Sequence, residues 1–145
     1  MIGYVTLGTN DLVRGAKFYD AIAKELGVGR MMETERFIAW GAPGGGAGIG
    51  LTLPFDGKPA SVGNGVMVAL EAKDNAQVDR IHRLAVSLGG KDEGAPGLRS
   101  EGFYAESFGL ERLRQCFVRR LKIYSAQALA VSFHPDRRRT KRCRR

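Results

Sequence analysis

Histidine and cysteine are sparse in this sequence and show no metal-binding or catalytic spacing. His82 is the one histidine among residues 1–106. It lies within a predicted helix, and no local pattern places a nucleophile or a carboxylate beside it, so we expect a packing or surface residue rather than a catalyst. Cys116 and Cys143 have neither metal-type nor redox-type spacing. No disulfide framework is expected.

A second group of candidates is aromatic or weakly polar and suits the binding of a small molecule. Because side chains alternate along a strand, Tyr4 and Thr6 share one face of a predicted first strand, and Met67 and Glu71 share the matching face of a later one. Further candidates for this surface are Phe37, Trp40, Gly50 and Tyr104. Apolar walls with a few polar groups are typical of small-molecule pockets. The alternative is that these side chains only fill the interior.

The elements that position these candidates come from an internal duplication. The segments 3–27 and 65–90 align so that Asp11 falls on Asp74. Each copy is a short alternating strand, an Asp suited to cap a helix, and an amphipathic helix that ends at glycine. The duplication predicts two halves whose matching strands face each other across a pocket.

Three further strands are expected in the first half, and the second half should repeat the pattern. The predicted strands cover 4–9, 30–34, 36–40 and 49–53 in the first half, and 66–71, 91–93 and 102–105 in the second, with a loop at 94–97. The fold class is therefore α+β, with two βαβββ repeats forming a cup-shaped mixed sheet. We place one domain at residues 1–106, its halves at about 1–54 and 65–106.

The glycine-rich stretch 41–50 has the composition of a phosphate-binding loop but the wrong context. Such a loop lies between a strand and a helix, so that amides at the start of the helix face the phosphates. Here a predicted strand lies on each side and the glycine spacing does not match. We interpret the stretch as a hairpin turn.

The formal charge of +8 is distributed unevenly along the 145 residues. Residues 1–106 carry 11 Lys and Arg against 13 Asp and Glu, whereas residues 107–145 carry 12 against 2. Basicity therefore gives no reason to expect nucleic-acid binding by the body of the domain. Without a signal-peptide pattern or an apolar run of ~20 residues, the chain is expected to be cytoplasmic and to have no membrane association.

The duplication and several local motifs resemble the vicinal oxygen chelate superfamily, the glyoxalase, bleomycin-resistance and extradiol-dioxygenase group. The motifs are Val5-Thr6-Leu7, Asp11-Leu12, Phe18-Tyr19 and Gly102-Phe103-Tyr104. The resemblance covers residues 1 to about 105. It implies a cup made by two halves, commonly in a dimer, and in the enzymes a divalent metal that polarises adjacent substrate oxygens.

The metal-ligand positions implied by that resemblance hold unsuitable residues in this chain. Tyr4 stands at the first position, Met67 at its counterpart in the second half, and Gly50 where glyoxalase-like members have Glu. No candidate for the last ligand, a Glu in the final strand, is found. Imidazole and carboxylate donors are preferred by such metals, whereas a phenol is a weak ligand and glycine offers no side chain. We expect no metal and no other cofactor.

The resemblance ends near Ala105, where the chain becomes strongly basic. The closing strand of the second repeat is expected to be aberrant or missing, and residues 107–145 to form a basic extension. Apolar residues at helical spacing, Leu110, Leu113, Phe117, Leu121 and Tyr124, predict a helix. Residues 128–133 could form a short edge strand in place of the lost one, or a partner chain could cover the gap. The Arg-rich end from 137 should be disordered in isolation.

Three explanations of the extension stay open. It is a basic arm that contacts nucleic acid nonspecifically through phosphates, a solvated tail without a role, or the product of a frameshift, which the abrupt change of pattern favours. A frameshift requires that another reading frame of the coding DNA restores the closing strand. Retention on DNA should disappear on deletion of 107–145 if the tail is responsible.

The sequence thus favours a metal-free protein that binds a small molecule in the cup, with a homodimer as the expected assembly. Catalysis is left open. The main alternative is a divalent-metal-dependent lyase or isomerase of the glyoxalase I type, which the fold allows and the residues at the metal positions oppose.

Overall fold

The computed structural model describes residues 2–61 and 66–110, and the backbone of 113–120. The first half contains β1 (Tyr4–Gly8), α1 (Leu12–Leu26), β2 (Gly29–Glu33), β3 (Phe37–Gly41) and β4 (Gly48–Thr52). The second contains β5 (Met67–Glu71), α2 (Asn75–Ser87), β6 (Lys91–Ser100), β7 (Phe103–Leu110) and β8 (Leu113–Arg120). The predicted α+β class with two βαβββ repeats is confirmed.

The two repeats form separate four-stranded sheets with the same strand order. The first sheet is ordered β1-β4-β3-β2 and the second β5-β8-β7-β6. In each sheet the last strand of the repeat pairs in parallel with the first, so that β4 lies beside β1 and β8 beside β5. The remaining pairs are antiparallel. The duplication seen in the sequence therefore extends to the hydrogen-bonding pattern.

The end of the second repeat differs from the sequence prediction. Leu113–Arg120 is a strand between β5 and β7, so the predicted helix is wrong at these residues and the closing strand is present. Leu113 and Phe117 are four positions apart, a spacing that fits one face of a strand as well as one face of a helix. The backbone amides and carbonyls of β5 and β7 need hydrogen-bond partners, and a strand between them supplies these partners whereas a helix would not. Residues 121–145, including 128–133, lie outside the described part of the chain.

Two smaller boundaries also change. The second half reaches residue 120 rather than 106. The segment 94–97, predicted as a loop, belongs to β6, whose pairing with β7 shifts register on both sides of Gly94. Glycine and proline in this segment disturb the ladder without ending the strand.

Both helices start as the sequence predicts. The Asp11 carboxylate accepts a hydrogen bond of 2.9 Å from the Arg14 amide, and the Asp74 carboxylate accepts one of 2.6 Å from Gln77. At the end of α1, Gly27 adopts the left-handed conformation with φ 75°. These caps fix where each helix begins above its sheet.

One hydrophobic core joins the two halves on the helix side of both sheets. The Phe18 ring of α1 meets the Phe108 ring of β7 edge to face, with centroids 5.6 Å apart. At the other end of the helix pair, the Gln77 amide donates to the Glu25 carbonyl at 2.7 Å, and Arg80 forms an ion pair with the Glu25 carboxylate at 2.8 Å. The halves are therefore joined through α1 and α2. No helix in the described ranges is long and apolar enough to cross a membrane.

Candidate functional site

The sheet surfaces opposite the shared core carry most of the candidate residues. In β1, Leu7 is buried in the core and Val5 packs against it, while Tyr4 and Thr6 are exposed on the other side. This alternation matches the sequence prediction. We call the surface with Tyr4, Thr6, Met31 and Phe37 the first face.

Phe37 covers the backbone of the first face at Gly50. The Tyr4 and Phe37 rings lie edge to face with centroids 6.2 Å apart. A Cβ atom added to Gly50 would lie 2.7 Å from Cε2 of Phe37, closer than side chains approach each other. Glycine thus allows the ring to rest on the strand, and the ring closes the space that a longer residue at position 50 would need.

Met31 was not among the predicted site residues but belongs to the same surface. Its sulfur occupies the space that a Cβ of Gly41 would take, and its methyl group lies near Gly48. The register of β2 against β3 shifts between Arg30 and Met32, which places Met31 in a bulge. No residue type in this segment signals the bulge, so the direction of Met31 could not be predicted.

The equivalent surface of the second sheet, which we call the second face, carries Met67, Ala69 and Glu71. All three side chains are exposed, whereas Val68 and Leu70 between them are half-buried against the core. Met67 keeps 56% of its surface exposed and Tyr4 keeps 61%. Because the sheets are separate, no strand pairing joins the first face to the second within the described chain. The two faces are therefore not parts of one continuous sheet.

Two of the predicted site residues lie on the helix side instead. Trp40 is 1% exposed, and its ring lies 5.4 Å from that of Tyr19. The Tyr104 hydroxyl donates a 2.7 Å hydrogen bond to Asp79 of α2, which raises the pKa of the phenol. Trp40 is three positions from Phe37, and an odd spacing within a strand places two side chains on opposite faces. Neither side chain belongs to the first or second face.

Trp40 is held by a small polar network at the edge of the core. Its Nε1 donates to Oδ1 of Asp20 at 2.8 Å, and the Arg30 guanidinium donates to both oxygens of the same carboxylate at 2.9 and 2.7 Å. The hydrogen bond from Arg30 is the main cause that lowers the pKa of the Asp20 carboxyl; burial opposes it, and the hydrogen bond from Trp40 lowers the pKa further. The network fixes the Trp40 ring and joins α1 to β2 and β3.

We expect Asp20→Asn to lose stability in a pH-dependent way. A carboxyl whose pKa is lowered by folding stabilises the protein above its ordinary pKa of 3.8, and this contribution is lost as the pH falls through the lower folded value. Urea unfolding should therefore show the wild type more stable than the variant at about pH 6, with the gap shrinking by about pH 3. Asp56→Asn, at an exposed carboxylate, is the control. A gap that stays constant with pH would contradict the assignment.

His82 packs as the sequence predicts. It is buried on α2, with Nε2 at 3.3 Å from Oδ1 of Asp92. The Gly94 amide and then the His82 side chain lower the pKa of the Asp92 carboxyl. No group of three or more His, Cys, Asp or Glu suited to a metal occurs among residues 2–61 and 66–110. His82 therefore joins α2 to β6.

Comparison with solved structures identifies the family. The structure of a glyoxalase/bleomycin resistance protein from Albidiferax ferrireducens T118 is 30% identical, with a TM-score of 0.77, and the match covers 83% of this chain and 99% of that one. The chain belongs to the glyoxalase/bleomycin resistance/dioxygenase superfamily. This confirms the resemblance to vicinal oxygen chelate proteins. No family model and no curated protein sequence matches.

More distant members of this superfamily share the fold. A glyoxalase/bleomycin resistance protein/dioxygenase family enzyme from Burkholderia phytofirmans PsJN is 18% identical, with a TM-score of 0.64 and coverage of 82% of this chain and 98% of that one. A protein of the same description from Nocardioides is 18% identical, with a TM-score of 0.60 and coverage of 89% of both chains. Identities this low support the architecture alone.

The residues at the superfamily's metal positions do not fit a divalent metal in this member. The register equivalent of Gly50 in the second sheet is Cys116, which lies opposite Ala69 as Gly50 lies opposite Thr6. The four positions thus carry Tyr4, Gly50, Met67 and Cys116, a set in which one thiol is the single common ligand of a divalent metal and imidazole and carboxylate are lacking. In addition, the Phe37 ring occupies the space beside Gly50. We derive no metal-dependent step for this chain.

Proposed function

We propose that this superfamily member binds a small, partly apolar molecule on the first face without a divalent metal. The observation that carries the proposal is the Phe37 ring lying over Gly50, where a metal-dependent glyoxalase would place a carboxylate. With Tyr4 edge to face against it, Phe37 offers an aromatic surface in place of a metal ligand. Aromatic and thioether groups bind apolar ligands through contact area and polarisable electrons.

The proposal includes a homodimer in which the second face of one chain closes the pocket over the first face of its partner. Tyr4, Met31 and Met67 are each more than half exposed, and they lie on two surfaces of one duplicated chain. In a dimer with a twofold axis, the first face of each chain would lie against the second face of the other chain, so that two equivalent pockets form. Glu71 would then be the carboxylate at the edge of each pocket. In this dimer each second face would form the opposite wall of the pocket on the partner's first face.

Binding of the neutral fluorescent probe N-phenyl-1-naphthylamine tests this function. Phe37→Ala and Met67→Ala should each raise the dissociation constant about tenfold, because a lost apolar contact of about 1.4 kcal/mol has that effect. Phe55→Ala, at a fully exposed phenylalanine of the linker, is the matched control. Equal affinity in all three variants would contradict a pocket on the first face. A loss with Phe37→Ala alone would contradict the shared pocket.

The same preparations decide the question of the metal. Protein purified without chelators should contain no stoichiometric nickel, zinc or iron, and added metal should leave the affinity for the probe unchanged. One bound metal ion per chain would overturn the metal-free proposal and favour the lyase or isomerase alternative.

A further inference from the structure

A second concave site lies between the halves, away from Phe37 and the first face. Its volume is about 780 Å³, within the range of about 300–1,000 Å³ typical of small-molecule pockets. The walls come from the last turn of α1, the β3–β4 hairpin, the end of β5 and the first turn of α2. We call this site the crevice. Neither Tyr4, Phe37 nor Met67 lines it.

The floor of the crevice is apolar and held in place. It is formed by Tyr19, Ile22, Trp40 and Ile49, all buried residues of the core. Trp40 cannot turn freely, because its Nε1 donates a hydrogen bond to the Asp20 carboxylate, which also accepts one from the Arg30 guanidinium. A floor that is already ordered loses little side-chain entropy when a ligand binds.

The rim of the crevice carries two lysines, one from each half. Lys24 lies in the last turn of α1 and Lys73 immediately before α2. No carboxylate among the described residues lies within the 4.0 Å of an ion pair from either ammonium group. Glu25, the acid nearest in sequence to Lys24, is already paired with Arg80 at 2.8 Å. Two cations without a carboxylate partner among the described residues therefore line the crevice together with one exposed carboxylate, that of Glu71.

The second lysine is positioned by the contact between the halves. The Lys73 amide donates to the side-chain oxygen of Gln77 at 2.8 Å, and the Gln77 side-chain nitrogen donates to the Glu25 carbonyl at 2.7 Å. The backbone of Lys73 is thus tied to the end of α1, where Lys24 also lies. The charged rim is a property of the joined halves rather than of either one.

We propose that the crevice binds an amphiphilic organic acid, with its apolar body against the partly exposed Leu26, Val28 and Leu70 above this floor and its anionic group at Lys24 and Lys73. A ring system or a short aliphatic chain suits these three side chains, because all of them are aliphatic. The excess of unpaired positive charge on the rim favours a carboxylate over an amine. This site goes beyond the proposed function, since Tyr4, Phe37 and Met67 do not line it, although it shares Ala69 and Glu71 with the second face.

The anionic probe 8-anilinonaphthalene-1-sulfonate, with displacement by decanoate, tests the inference. The double variant Lys24→Met/Lys73→Met should weaken binding of the anionic probe by about tenfold and make decanoate a poor competitor. Lys17→Met/Lys58→Met, which removes two exposed lysines that do not line the crevice, should bind as the wild type does. Equal affinity in the two double variants overturns the inference.

A blocking variant and a variant of the other site separate the two proposals. Ala47→Trp places an indole at the exposed mouth of the crevice and should abolish binding of the anionic probe. Phe37→Ala should leave that binding unchanged. If Phe37→Ala abolishes it and Ala47→Trp does not, the anionic probe binds at the first face, and the crevice is overturned while the proposed function stands. Circular dichroism confirms that each variant is folded.

Discussion

Replacing Phe108 with alanine is expected to lower the free energy of unfolding by about 3–5 kcal/mol, a large part of the stability of one domain. Phe108 is 0% exposed and its ring packs on Phe18, so it joins the sheet of the second half to the helix of the first. Removing the ring leaves a cavity that neither sheet can collapse to fill. The measurement is urea unfolding of the wild type and the variant.

Phe103→Ala on the same strand is the matched control. Phe103 keeps 37% of its surface exposed and lies outside the core cluster, so its loss should cost well under half as much. A double-mutant cycle with Phe18→Ala should show a coupling of about 0.5–1.5 kcal/mol between the rings. Equal losses of unfolding free energy in Phe103→Ala and Phe108→Ala, or no coupling between the Phe18 and Phe108 rings, would show that the halves do not depend on this contact.

Gly50→Glu, which places a carboxylate where the superfamily resemblance implies a metal ligand, is expected to destabilise the chain by about 1–3 kcal/mol. The added Cβ would lie 2.7 Å from Cε2 and 2.8 Å from Cζ of Phe37, so the ring must leave its position. The new carboxylate would also lie beside a buried segment of strand. Chemical unfolding at neutral pH measures the loss.

Removing the obstructing ring should reverse part of that loss. In Phe37→Ala/Gly50→Glu the cost of the glutamate should fall below its cost in the wild-type background, which the double-mutant cycle reports directly. Gly29→Glu is the control, because a Cβ there meets nothing within 4 Å and the backbone has no positive φ. If Gly50→Glu is tolerated as well as Gly29→Glu, the Phe37 ring does not close the position, and the observation supporting the metal-free proposal fails.

The sequence predicted the first strand and the helix of each half well because the relevant signals there are local. Asp11 and Asp74 cap their helices through contacts three residues away, and Leu7 faces the core because strands alternate. The closing strand was missed because its pairing is not local. Leu113–Arg120 is held by β5 and β7, and its own spacing and basic charge indicated a helix as readily as a strand.

The site was harder to predict than the fold for two physical reasons. The bulge that directs Met31 onto the first face depends on the register between β2 and β3, which no residue type in the segment specifies. The relation between the halves depends on packing of α1 against α2, through contacts such as Gln77 with Glu25 that are 52 positions apart in the chain. Strand alternation predicted the exposed sides of Tyr4, Thr6, Met67 and Glu71, but not that strand pairing between the two faces would be lacking in the described ranges.

The interior position of β8 has a consequence for the order in which the chain folds during synthesis. The first sheet can close as soon as β4 has left the ribosome, because all its strands precede residue 53. In the second, β5 has no hydrogen-bonded neighbour until residues 113–120 emerge, so a nascent chain that ends before them exposes two unpaired strand edges. Chaperone dependence and premature termination should therefore affect the second half far more than the first.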